Sequence, residues 1–483
     1  MTISSAINTA QTGLRVTSER ADVVATNVAN STTAGYVRRS LIVAENILGS
    51  EASGVQSRGV ERSQNDVLSA ERRSIGSDLS QADILSSVWQ KISARVGDTT
   101  DGLGLFSRMS DFETALSNLT NSPESSADMT AVLGTARSLV AEFNSLSDFA
   151  ASTRADADRE IADGVDIVNS ALAEIADINT KIVKAGTFSD QGAALLDERG
   201  RLLDQISEYL PVQSVQRANG TVDILSTEGV YLLQGNNAHE IEFTPSISFG
   251  PDDTLANGTL SGISVDGISL TPGSASYGAV SSGMFSALFT IRDDDVPTFS
   301  SQLDTLAQDL VARLSDDSID PTKTPGAEGL FVDGDGSGDP GLAGRLTLNA
   351  AIDPAQGGDL WRLRDGIGAA TEGPAGNSAI LQGMLDALQN VRSVNGTGIQ
   401  GSYSSSELAA QFASIAGQKR VSNEAIQSSI SSQYTIIADA EISETGVDID
   451  VEMQDLLLIE QAYAANARVI EIASNMIDRL MEI

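Results

Sequence analysis

The chain has 483 residues, 41% of them hydrophobic but only 4% aromatic, so it is long enough for several domains whose cores must rest on Ala, Leu, Ile and Val. A formal net charge of −36 excludes a nucleic-acid partner, because nothing in such a chain replaces the counterions of a phosphate backbone. With no cysteine there is no disulfide, thiolate metal site or cysteine nucleophile, which suits a protein that crosses between redox compartments.

The first thirty residues repeat apolar side chains at 3-4 spacing through Ile7, Ala10, Leu14, Thr17, Ala21, Val24 and Val28, which predicts an amphipathic helix. Its start has neither a basic n-region nor an apolar h-region and reads as no cleavable secretory signal. A polar stretch, Ala29 to Tyr36, must break the helix, and residues 37–59 read as extended or irregular chain. A second helix is expected over about 61–96.

The longest helical signal begins at Ser122-Pro123-Glu124, read as N-cap, first-turn proline and favourable acid, and runs to Lys184-Ala185-Gly186. Some sixty residues at ~1.5 Å each make a rod of roughly 90 Å, with Gly134 and Gly164 as places for a break. One more helix spans 191–210 and ends at Pro211. From Val212 to about Ser282 the period changes to 2, and Asn219-Gly220 and Asp266-Gly267 are hairpin turn signals.

Helix returns over about 284–315, with Leu303, Leu306, Leu310 and Leu314 on one face. Residues 316–375 are rich in Gly, Asp and Pro and read as irregular, with a strand near 346–348. Helices resume over 376–392 and 404–440. The last is a heptad helix: Leu456, Tyr463, Ile470 and Ile477 fall seven apart, and Ile459, Asn466, Ala473 and Leu480 lie three further on. Nowhere does an apolar run approach the ~18 residues of a membrane span, so no membrane partner is expected.

The two terminal stripes match in charge. Arg15, Arg20, Arg38 and Arg39 outnumber the acids of residues 1–40, whereas residues 439–483 are dominated by Asp and Glu. Periodicity alone fits either a mutual pairing or two stripes packed into ordinary helical cores; the charge match favours pairing. Tyr463 and Asn466, in a seam otherwise of Leu, Ile and Ala, are the candidate register-setting positions.

The fold expected is α+β and multidomain, mainly α with an inserted β domain, and elongated. Residues 1–60 with 440–483 would form a terminal coiled coil, 61–211 with 284–439 a helical-bundle middle domain, 212–283 a small antiparallel β outer domain, and 316–375 an irregular segment.

No catalytic, cofactor or metal site is expected. His239 is the one histidine and has no nucleophile beside it. The Asp333–Asp339 loop, with Asp333, Asp335 and Ser337 at alternate positions, partly resembles a calcium loop. Its twelfth position is Gly344 where a bidentate Glu is needed, so it reads as a turn-rich loop.

Two motifs at the chain ends carry a resemblance. Asn27-Val28-Ala29-Asn30 leads to Gly35-Tyr36-Val37-Arg38, and Gly446-Val447-Asp448-Ile449-Asp450-Val451-Glu452-Met453 leads to Gln461-Ala462-Tyr463-Ala464-Ala465-Asn466-Ala467-Arg468. Together they resemble the paired terminal signatures of bacterial flagellar rod, hook and hook-associated axial proteins. The run Leu195-Leu196-Asp197-Glu198-Arg199-Gly200-Arg201-Leu202-Leu203-Asp204 and the segment Leu288 to Asp293 are similar to hook-associated members instead of hook or rod members. The chain departs from the pattern at Ala34, where the family has proline, and at Thr445, where it has serine.

What the resemblance implies is a structural role, as a subunit of the joint between hook and filament. It further implies a ring of about eleven subunits, with hook protein below and a second junction protein, hook-associated protein 3, above. A cytoplasmic chaperone would hold the C-terminal helix before uncleaved export through the flagellar type III apparatus to the cell exterior. The acidic amphipathic helix suits helix-in-groove recognition. A hook or distal-rod subunit of the same family, or a secreted adhesin using the β segment, are the other readings.

Overall fold

The computed structural model describes residues 3–48, 51–98, 102–251, 253–337 and 340–481. Helix α1 (Ile3–Ala29) is followed by a long antiparallel hairpin, β1 (Arg39–Leu48) and β2 (Glu51–Arg62). The stretch read as extended or irregular is thus a regular two-stranded ribbon, interrupted by register shifts after Ile42 and Glu45.

Helix α2 (Asp66–Val96) starts under the side chain of Asn65, which accepts from the backbone N–H groups of Val67 and Leu68. Next come α3 (Gly104–Asn121), α4 (Ser126–Ala185) and α5 (Asp190–Tyr209). The N-cap of α4 is Ser125, not Ser122. Ser122 instead closes α3, its N–H donating to the carbonyls of Asn118 and Leu119, so Pro123 lies in the turn between the two helices.

Helix α4 runs 60 residues without a break. Gly134 has open space beside it, whereas a Cβ at Gly164 would lie 2.8 Å from Tyr209 and 2.9 Å from Phe285. Gly164 is therefore a packing glycine that lets neighbouring rings approach the rod, and not a hinge.

Two small sheets lie along α4. The first is β3 (Val212–Gln216), β4 (Val222–Ser226), β5 (Tyr231–Gln234) and β6 (Asn237–Ala238), antiparallel in that order. The second is β7 (Ile241–Glu242), β8 (Ser264–Val265) and β9 (Ile268–Ser269). Asn179 of α4 donates to the carbonyls of Val222 and Gly235, and Asn169 bonds both backbone groups of Ile241. Val222, Ile224, Leu232, Ile241 and Val265 belong to the same contiguous apolar core as α4.

Helices α6 (Gly283–Thr290) and α7 (Val296–Leu314) are joined by one turn of π-helix, Ile291–Asp295. The wider turn surrounds fully buried Arg292, whose guanidinium meets Asp158 at 2.6 Å and stacks on Phe289. Arg154 donates to the Arg292 carbonyl at 2.9 Å. Residues 316–375 then hold β10 (Phe331–Asp333), α8 (Leu342–Arg345), β11 (Leu346–Leu348) and α9 (Arg362–Asp365).

Helix α10 (Ala379–Gln389), the hairpin β12 (Arg392–Gly396) and β13 (Ile399–Tyr403), and α11 (Ser405–Thr445) lead to the last helix, α12 (Ile449–Met481). Buried Arg313 of α7 binds the carbonyls of Ala387, Asn390 and Tyr403. That interaction satisfies the end of α10 and the strand beyond it. Ser404 and Glu407 form a capping box at the start of α11, which packs antiparallel on α2.

Candidate assembly interface at the paired termini

Helices α1 and α12 pack antiparallel, with Asn27 beside Glu452 at one end and Gly13 beside Asn466 further along. Asp448 caps α12, accepting from the N–H groups of Asp450 and Val451. Acids at Asp450 and Glu452 then sit on the positive end of the helix dipole.

The join is built around Asn27, which is buried on α1. Its Nδ2 donates to the Arg39 carbonyl at 2.9 Å and to Glu452 Oε2 at 3.0 Å. Its Oδ1 accepts from the Arg39 N–H at 3.0 Å and from the Tyr36 hydroxyl at 2.8 Å. One side chain thus ties the helix, the turn after it and the far terminus. Glu452, 1% exposed, also accepts from Arg38 Nε at 2.6 Å. Arg38 reaches Asp455 at 3.6 Å, as does Arg20 at 3.5 Å, and the Arg38 N–H donates to the Thr445 carbonyl. Burial raises the Tyr36 pKa above its ordinary 10.0, against a lowering by Arg39.

The other motif residues take supporting places. Asn30 donates to the Thr26 carbonyl and closes α1. Gly35 has φ +77, and a Cβ there would press on the Arg201 side chain at 2.7 Å. Gly446 ends α11, its N–H on the Ile442 carbonyl. Gln461, Ala462 and Arg468 are exposed.

Of the expected seam, the structure places Val24 in the buried face of α1 and Ile7, Leu14, Ala21 and Val28 half-buried. Ile459 and Ala473 are buried on α12, and Asn466 and Ile470 are half-buried. Leu456, Tyr463, Ile477 and Leu480 are exposed, at 38%, 50%, 38% and 63%. One heptad column of α12 (Glu452, Ile459, Asn466, Ala473) therefore faces α1, with Leu480 beyond it exposed, and Leu456, Tyr463 and Ile477 of the other column stay exposed. Helix α1 is covered twice, since Thr12 on another side accepts from the Val55 N–H of the hairpin. Asn466 sits directly over Gly13, where a Cβ would be 2.9 Å from its amide.

The carboxylates of α5 form a further group that periodicity did not single out. Asp197 takes Arg39 and Arg62, each at 2.7 Å, and Asp204 takes Arg72 and Arg73 at 2.9 and 2.7 Å. Glu441 of α11 pairs with Arg72 as well. Arg199, between them in sequence, is buried against Asn179 and the Gly220 carbonyl. Burial pushes its pKa down to about 10, helped by Arg62 and Arg73. Arg39, Arg72 and Arg73, which look like parts of minor basic pairs in sequence, are counter-charges of these acids, and Arg38 is that of Glu452.

Elsewhere, Asp333 and Asp335 of the calcium-like loop face Arg345 at 3.1 and 2.9 Å, while positions 338 and 339 lie outside the described residues. His239 Nδ1 lies 2.6 Å from Asp266, and the pair is partly solvated. Among the described residues no group of three or more His, Cys, Asp or Glu could hold a metal, and no helix is long and apolar enough to cross a membrane.

Two family models match: the flagellar hook-associated protein FlgK helical domain over residues 90–317, and the flagellar basal body rod FlgEFG protein C-terminal over residues 441–483. Both models describe structural subunits of the bacterial flagellum, not enzymes, and it is to these flagellar axial proteins that the chain is similar.

Within that family its similarity is to hook-associated protein 1. It is 24% identical over 556 aligned positions to flagellar hook-associated protein 1 of Escherichia coli K12, covering 100% of both chains. It is 21% identical to that of Bacillus subtilis 168, over 98% of this chain and 97% of the relative. The Salmonella typhimurium protein is 26% identical over 53% of this chain and 47% of its own. A solved structure of the flagellar hook junction protein FlgK from Burkholderia pseudomallei aligns with a TM-score of 0.45 and 19% identity, over 55% of this chain and 47% of the other.

Proposed function

We propose that this chain is a structural subunit of the joint between the flagellar hook and the filament, polymerising through its terminal helices. The observation that carries the reading is the apolar surface of α12 that stays exposed. Leu456, Leu457, Tyr463, Ile472 and Ile477 remain exposed on a helix whose Ile459–Asn466–Ala473 column is already seated on α1. Each large apolar side chain buried by a neighbour contributes about 1.5–3 kcal/mol, so a few such contacts per copy outweigh the repulsion between acidic subunits. A heterologous contact of this kind propagates around a helical array and does not close as a dimer.

On this reading the partners are equivalent copies in a ring, hook protein on one side, hook-associated protein 3 on the other, and an export chaperone that covers α12 beforehand. The chain leaves the cell uncleaved by the flagellar type III route. The test is a deletion strain. Intact hooks with filament monomers lost to the medium support the joint; absent hooks would make it a hook or rod subunit. Complementation with Leu456→Asp/Ile472→Asp, which changes exposed positions only, should restore a folded monomer that does not incorporate. Normal filaments from that variant would overturn polymerisation through α12.

A further inference from the structure

The buried arginines of the chain differ in what they hold. Arg292 meets Asp158, Arg313 meets Asp309 and Arg364 meets Asp365, each at 2.6 Å. Arg154 makes no ion pair among the described residues, but its three nitrogens donate to three backbone carbonyls. Arg199 is 5% exposed and has neither arrangement. Among the described residues it makes no ion pair, and its Nη1 alone is used, on Asn179 Oδ1 at 3.3 Å and the Gly220 carbonyl at 2.7 Å.

Arg199 lines a cleft of about 830 Å³, and Arg62, Arg72 and Arg73 line it too. The cleft is built chiefly on the helical body, with Arg199 on α5 and Arg72 and Arg73 on α2. Helix α1, the β1–β2 hairpin and α12 form a terminal unit outside the apolar core of that body, and from it Arg62 reaches the cleft at the end of β2.

The charges here do not balance. Asp197 serves Arg39 and Arg62, Asp204 and Glu441 serve Arg72 and Arg73, and no carboxylate serves Arg199. Five arginines thus share three carboxylates, in a chain whose net charge is −36. The other charges of the wall are engaged, since Arg201 pairs with Glu198 and Asp448 caps α12. Asp66 attracts Arg199 from the first turn of α2, but it is exposed and accepts from Gln216. Arg62 and Arg73 are close enough to oppose the charge of Arg199. A buried guanidinium with unused donors and like charges beside it is costly. An anion in the cleft relieves that cost.

We propose that this cleft is a binding site for a small tetrahedral dianion of the phosphate class, with Arg199 as its anchor and Arg62 and Arg73 supplying further positive charge. The guanidinium fork matches phosphate oxygens two at a time. A dianion also matches the two arginines left over after the carboxylates are counted, whereas a single carboxylate supplies half that charge. Ser214 and Gln216 add neutral polar groups to the same wall. Bound there, the anion links α5 to α2 and stabilises the folded chain by mass action. The site is independent of the junction reading, because no assembly step enters it.

The experiment is a calorimetric titration of the full-length chain with inorganic phosphate at fixed ionic strength, so that screening stays constant. The native chain should bind one phosphate saturably, and Arg199→Met should bind it at least tenfold more weakly. Arg73→Gln leaves Arg199 and its packing in place and should weaken binding severalfold even if the first variant fails to fold. Arg159→Gln, which changes an exposed arginine of α4 paired with Asp156, should leave the titration unchanged. Phosphate should also raise the melting midpoint of the native chain by more than that of Arg73→Gln. No saturable phosphate binding by the native chain overturns the site, as does equal binding by Arg73→Gln or an equal loss in Arg159→Gln. Saturation by acetate at the same concentrations overturns it as well, since the cleft would then take carboxylates instead of the phosphate class.

Discussion

Asn27 has every hydrogen-bonding valence of its amide engaged, and the two partners that matter most, Tyr36 and Glu452, differ in how their loss should show. Glu452→Ala would leave half-buried Arg38 with the longer contact to Asp455 and strand one donor of Asn27. The expected cost is about 1–3 kcal/mol, confined to the terminal unit. A lower urea midpoint for α1–α12 separation, with the helical body melting as before, checks this. Tyr36 acts through pH. Its folded-state pKa is raised above 10.0, so its neutral hydroxyl stabilises the fold fully below pH 10 and that contribution is lost as pH climbs through the folded value. Ionisation also removes the proton it donates to Asn27. The terminal unit should therefore loosen at alkaline pH in the native chain, while Tyr36→Phe, weaker by about 1 kcal/mol at neutral pH, should lack the Tyr36 step; α1–α12 label distances against pH read both. Asn27, Tyr36 and Arg38 were legible in the sequence through the terminal motif. Glu452 stands in the C-terminal motif too, but its role was not legible, because an acid in the first turn of an acidic helix reads as a solvated charge, and only the fold brings Arg38 and Asn27 to it.

At the level of elements, periodicity located the long helices well because each buries a stripe against the body. It did not reveal whether a glycine in such a stripe breaks the helix. Gly134 and Gly164 look alike in sequence, yet one faces open space and the other holds Tyr209 and Phe285 close to α4. Gly134→Ala should stabilise the protein by about 0.5–1 kcal/mol through lower unfolded-state entropy and better helix propensity. Gly164→Ala should destabilise it, since a methyl at 2.8 Å from a ring forces repacking of two aromatic side chains. Denaturant midpoints of the two variants test the opposite signs. The heptad pattern of α12 likewise marked two apolar columns but not which one α1 covers. Gly13 fits that pairing, since without a Cβ it admits the Asn466 amide directly against the α1 backbone.

Over the whole molecule, stability is uneven by construction. The apolar core ends before the terminal unit, whose helix α12 keeps a largely apolar side in solvent. Local opening should therefore begin there. Limited proteolysis of dilute monomer should clip residues 1–30 and 445–483 first and leave a resistant body; cleavage within α4 or α7 before the ends would contradict this. The acidity of the chain keeps such a monomer soluble while that face is uncovered.

The sequence alone determined the helical periods, the turn chemistry of Asn219-Gly220 and Asp266-Gly267, the matched charge of the two ends and the terminal motifs that mark the family. Those are local or pairwise properties, written in spacing and residue type. Tertiary structure alone decided that α4 runs unbroken, that the β strands share its core, which column of α12 stays open, and that Asp197 joins the hairpin to the body. Each of these depends on what lies across a contact from far along the chain. A period specifies a face, but not the partner that covers it.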